Sequence, residues 1–193
     1  MHAIPRAAKD TAGRLHRPAV FVGLVLSALV LPVIAMVLLL GVSIWEQGLD
    51  GTRWSELLGF SLMFFVAAFV HALLIGLPAF LWLRRMGRLS AARLAVVGFV
   101  AGGLLIGLLG WPPRRAAGRS YSTYWHGQLV EMERDGVPTL YGWLSWLEPV
   151  ALWGAVGVAS ALAFWYGWRY FQRQADARSL HGAGPRRHVL PQQ

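Results

Sequence analysis

Cysteine is absent from these 193 residues. That excludes disulfides, thiolate metal sites, covalently attached haem and dithiol redox chemistry in one step. Charge is also scarce. Only 14% of the residues are charged, against roughly a quarter in soluble domains. Acids are the scarcer sign, nine against eighteen Lys and Arg. Walker loops, zincin helices, nucleophile elbows and dinucleotide fingerprints are missing. No nucleophile, acid–base pair or metal set stands out. The expectation is a protein without catalytic activity and without a cofactor.

What the chain has in excess is apolar surface. Hydrophobic residues make up 56% of it, more than a core of this size can hide, and lipid is the natural place for the surplus. The net charge of +9 would point to nucleic acid in a soluble protein. Here the basic residues flank apolar runs, as in the cytoplasmic loops of membrane proteins, so no nucleic-acid partner is expected.

Four apolar runs stand out, at about 20–45, 57–83, 94–111 and 146–168. The first is too long for a signal-peptide h-region and reads as a retained anchor. Each is long enough to cross about 30 Å of hydrocarbon as a helix. Backbone exposed to lipid must satisfy its own hydrogen bonds. The expected fold is therefore all-α, a four-helix transmembrane bundle forming one membrane domain over residues 19–168. Residues 1–18 and 169–193 read as basic tails, the second of them disordered. Arginines crowd both tails and the connection Arg84–Arg93, whereas the first connection holds Glu46, Asp50 and Glu56. That asymmetry predicts both termini in the cytoplasm and a multi-pass protein of the cell inner membrane. Arg114, Arg115 and Arg119, in the outer loop 112–142, break the pattern. They are candidate contacts for an anion or a lipid phosphate.

Small residues recur at helical spacing. Gly98 and Gly102, and Gly103 and Gly107, are four apart, as are Ala151, Ala155, Ala159 and Ala163, with Gly154 and Gly157 beside them. Such columns form grooves where another helix approaches closely. The third and fourth spans are expected to pack on each other or on copies of themselves. Trp45, Trp54, Trp82, Trp111, Trp143, Trp146, Trp165 and Trp168 read as an interfacial belt. Pro32 and Pro78 mark expected kinks.

Two residues are candidates for chemistry. His71 lies thirteen residues from Arg84 and fifteen from Glu56, roughly 20 Å from either end of its span. A polar group at the midplane should face the bundle interior and find a partner. The functional readings are a proton relay, a quinone or haem ligand, or a substrate contact. The structural reading is an imidazole bonded to Ser27, to Ser61 or to the Leu74 carbonyl that Pro78 leaves without its donor. Glu148 stands at the outer mouth of the fourth span. With Ser145 it matches a capping box at a helix start, and Pro149 suits a first turn. In the outer loop, Trp125, Leu129 and Met132 have the spacing of a short helix lying along the membrane surface. Asp135-Gly136 is a turn signal. His126 has no second ligand at metal spacing.

The stretches Phe69-Val-His71-Ala-Leu-Leu-Ile-Gly76-Leu-Pro78 with Leu83-Arg84-Arg85, and Asp135-Gly136-Val-Pro138-Thr139-Leu-Tyr-Gly142-Trp143, resemble uncharacterised small four-span bacterial inner-membrane proteins. The resemblance implies the same arrangement and no activity. Three functions remain as expectations. The first is a non-enzymatic protein that binds a partner or lipid through the outer loop and the helix grooves, with a homo-oligomer left open. The second is a small oligomeric transporter or channel subunit using His71. The third is a membrane redox or lipid-modifying protein.

Overall fold

The structure is a computed structural model that describes residues 16–47, 53–112 and 118–182. It is mostly helical, and four helices are long and apolar enough to cross a membrane. Helix α1 is Arg17–Gln47, α2 is Trp54–Arg85, α3 is Ala91–Leu109 and α4 is Leu140–Gly182. The expected spans fall inside these helices, except that the third helix stops at Leu109. The helices overrun the apolar runs because polar ends still satisfy i→i−4 bonds beyond the hydrocarbon. Arg114 and Arg115 lie outside the described residues.

The bundle is not all-α. Between α3 and α4 an antiparallel sheet forms from β1 (Tyr121–Trp125), β2 (Gln128–Arg134) and β3 (Val137–Pro138), in that order. The expected surface helix through Trp125, Leu129 and Met132 does not exist. Two tight turns decide the matter. His126 and Gly127 both have positive φ between β1 and β2, and Asp135 and Gly136 do the same between β2 and β3. Two consecutive residues with positive φ make the turn whose twist matches a hairpin.

At the end of the bundle that carries both chain tails, the helices close into a core. Phe80 is completely buried and packs edge-on against Phe164 (4.9 Å between ring centroids) and Trp168 (5.0 Å). Val20, Leu24, Leu83, Leu94 and Trp165 complete it. Trp165 and Trp168 therefore belong to this packing rather than to an interfacial belt, whereas Trp45, Trp54 and Trp82 are exposed. The tail-end turn is fixed locally. Gly87 ends α2 at φ +65, with Gly87 N–H bonding to the Arg84 carbonyl and Arg88 N–H to the Leu83 carbonyl, the paired bonds of a Schellman motif. Ser90 then caps α3 by accepting from Arg93 N–H.

Helix α4 runs along both α3 and α1, and α1 along α2. The α3–α4 contact is made by glycine. A Cβ on Gly98 would strike the Gly157 carbonyl, one on Gly102 the Trp153 carbonyl, and one on Gly157 the Gly98 carbonyl. The two spans do pack on each other. The glycines carry the contact, and Ala151, Ala155 and Ala159 are exposed on a different face.

Candidate functional site

Two sites emerge, one at the sheet end of the bundle and one among the helices. At the sheet end, Thr139 starts α4. Its Oγ1 accepts from Gly142 N–H (3.3 Å) and donates back to the Glu131 carbonyl. Thr139 N–H donates to the Met132 carbonyl (2.9 Å). The N-cap is thus tied to β2. Ser145 and Glu148 are not a capping box, because the helix has already run for several residues when it reaches them. Ser145 Oγ donates to the Gly142 carbonyl (3.0 Å), and Pro149 sits inside the helix. Glu148 is released from capping and does something else. Its Oε2 accepts from Trp125 Nε1–H (3.1 Å) and lies 3.2 Å from His126 Nε2. One carboxylate on α4 therefore holds the tip of the first hairpin.

A bulge shapes the rest of the sheet. Tyr121 pairs with Glu133 and Ser122 with Glu131, so Met132 is the extra residue. One extra residue reverses the facing of everything beyond it. Val130 and Glu133, three apart, are consequently both buried. Glu133 lines a recess of about 730 Å³ between the sheet and the ends of α3 and α4, with Trp111, Trp125, Trp146, Tyr121 and Tyr124. Trp146 Nε1–H donates to the Gly107 carbonyl (3.0 Å), and Trp111, Trp143 and Trp146 meet edge to face at 5.1–5.8 Å. Toward the end of β2, the Arg134 guanidinium bonds Glu131 and holds its carboxyl below the usual 4.5, while Glu131 raises Arg134. Arg119 is exposed beside the second turn, where its carbonyl accepts from Gly136 N–H (2.8 Å).

The second site is a cavity of about 430 Å³ to which all four helices contribute. His71 lines it, as do Ser27 on α1 and Ser160 on α4. Helix α2 changes character at this point. From Ala72 to Gly76 it widens into a π turn, with Leu77 N–H bonding to the Ala72 carbonyl. The cause is two residues on. Pro78 has no N–H to give, and its ring would meet the carbonyl four residues back. That carbonyl, on Leu74, lies inside the widened turn. The expected partners of His71 are engaged elsewhere. Ser27 Oγ donates to the Leu24 carbonyl (2.8 Å) and Ser61 Oγ to Met36 Sδ (3.8 Å). His71 and Ser160 make no side-chain hydrogen bond to any described residue. His71 and Glu148 belong to different sites.

Among the described residues, no three His, Asp or Glu side chains gather so that they could hold a metal ion. No protein-family model matches the chain, and no curated protein or solved structure matches it.

Proposed function

We propose that this chain is a non-enzymatic integral protein of a bacterial inner membrane that holds a partner protein or a lipid on its outer sheet. Both termini lie in the cytoplasm in this reading. Its support is the grouping of Arg17, Arg84, Arg85, Arg88, Arg93 and Arg169 at the tail end, opposite the sheet. The observation that carries the function is a cross-strand pair. Tyr124 and Leu129 stand opposite each other, 74% and 65% exposed. They form an aromatic–aliphatic pair on a hairpin whose tip and far end are both tied to α4. A pinned apolar pair whose neighbouring cross-strand pair on the same face is Ser122 and Glu131 is a preorganised contact and loses little entropy on binding. The α3 glycine groove is already filled by α4 and plays no part in the proposal.

A photoreactive amino acid replacing Tyr124 tests it in native membranes. The expected result is one discrete adduct, with a protein or a lipid, that weakens when Leu129→Ser is added at unchanged protein level. Unmodified monomer after irradiation would count against the proposal.

The second reading, a small oligomeric transporter or channel subunit, draws support from the cavity beside His71. It requires flux through the reconstituted protein that depends on pH and disappears in His71→Ala.

A further inference from the structure

The cavity among the helices is independent of the sheet, and its lining says what it would take. We infer that it is a binding site for an uncharged, chain-bearing amphiphile whose head carries one hydrogen-bonding oxygen, a carbonyl or a hydroxyl, received by His71. Four observations lead there.

The first is size and access. About 430 Å³ lies within the range of about 300–1,000 Å³ typical of small-molecule sites. Helix α3 meets α2 at the π turn and through Leu94 in the tail-end core with Phe80 and Leu83, while α4 runs along α3 and α1. The thinner α2–α3 contact is the side by which a ligand would enter from the lipid.

The second is the lining. Leu31, Phe64, Val97, Leu105, Ile106 and Trp153 are apolar, and among the described residues no Asp, Glu, Lys or Arg lines the cavity. A charged head would lose its hydration with no opposite charge to meet. The ligand is therefore uncharged.

The third is the pair of polar side chains left over. His71 and Ser160 both line the cavity, and neither hydrogen-bonds a described residue. A polar group at this depth needs a partner. A pure hydrocarbon tail cannot supply one.

The fourth is depth. His71 lies near the middle of α2, roughly 20–25 Å from its ends. A phospholipid keeps its headgroup and ester oxygens at the interface and presents only methylene groups at the midplane. A molecule that brings oxygen to the midplane must have a small neutral head, as a prenyl-type quinone or a long-chain alcohol has. The two differ in which partner donates. The imidazole N–H donates to a quinone carbonyl, whereas an alcohol can donate to the imidazole nitrogen.

Trp153 on the cavity wall provides the readout. The full chain is placed in phosphatidylcholine nanodiscs and titrated with a benzoquinone carrying a ten-carbon tail. Quenching assigned to Trp153 is obtained by difference from Trp153→Phe. Saturable quenching is expected. The quinone should be displaced by decanol and not by decane. Its affinity should fall about fivefold in His71→Leu, the scale of one hydrogen bond, and recover in His71→Gln, whose amide can still donate. Ala101→Phe, which fills the cavity, should abolish saturation while the helical content stays unchanged. Quenching that does not saturate, displacement by decane as effective as by decanol, or equal affinity in His71→Leu would each overturn the assignment. The last two would leave an apolar crevice filled by lipid tails. None of these outcomes bears on the sheet and its partner.

Discussion

At the scale of single residues, Glu148 shows how a local pattern can mislead. Ser145-x-x-Glu148-Pro149 has every feature of a helix start, yet α4 begins at Leu140. The true cap, Thr139, has its hydroxyl and its N–H engaged with β2, a contact that exists only once the sheet has formed. Nor could the sequence reveal that Glu148 meets His126, because the two are twenty-two residues apart. His71 was legible in part. Its depth follows from counting residues, and its lack of a side-chain hydrogen bond among the described residues follows only from seeing where Ser27 and Ser61 turn. The Glu148 contacts are solvent-exposed, so their effect on global stability is small, about 1 kcal/mol or less. Their role is local. Glu148→Ala should speed amide exchange at 124–129 and shift Trp125 emission to the red, with helical content unchanged. Glu148→Gln, whose amide oxygen still accepts from Trp125, should preserve most of the protection. Equal exchange in all three proteins, measured by hydrogen–deuterium mass spectrometry, would remove Glu148 from the latch.

At the scale of elements, the four helices were readable because lipid leaves the backbone no other partner. The sheet was readable too, by a signal outweighed by the helical spacing of Trp125, Leu129 and Met132. Two short strands flank His126-Gly127, and a second tight turn follows at Asp135-Gly136. Two-residue turns ending in glycine are the stronger sign of a hairpin. The bulge at Met132 left no such sign, because it depends on how β1 and β2 meet. Small-residue columns were half informative. Both glycine and alanine permit close approach, and only the structure shows that Gly98, Gly102 and Gly157 make it. Gly157→Val should therefore force α3 and α4 apart at a cost of about 1–3 kcal/mol, the scale of overpacking. Ala155→Val, on an exposed face of the same helix, should cost little. Thermal unfolding in one detergent compares them, and equal loss in both would mean that the glycine contact does not hold the pair.

At the scale of the whole molecule, the arrangement is a core at the tail end, a cavity among the helices and a recess beneath the sheet. The apolar surface left outside makes sense against lipid. Val37, Leu62, Leu108 and Leu152 are all more than 60% exposed, and a soluble chain rarely leaves such side chains in contiguous patches. The proposal depends on the two ends facing opposite sides of a membrane, with the sheet outside. Because the chain has no cysteine, a single introduced thiol reports its own position without background. Gln128→Cys lies in the hairpin and Arg173→Cys at the tail end of α4, both exposed. Intact spheroplasts treated with a membrane-impermeant maleimide should label Gln128→Cys at once and Arg173→Cys only after permeabilisation. Labelling of both thiols from the same side would contradict the four-span arrangement and, with it, the outward-facing sheet.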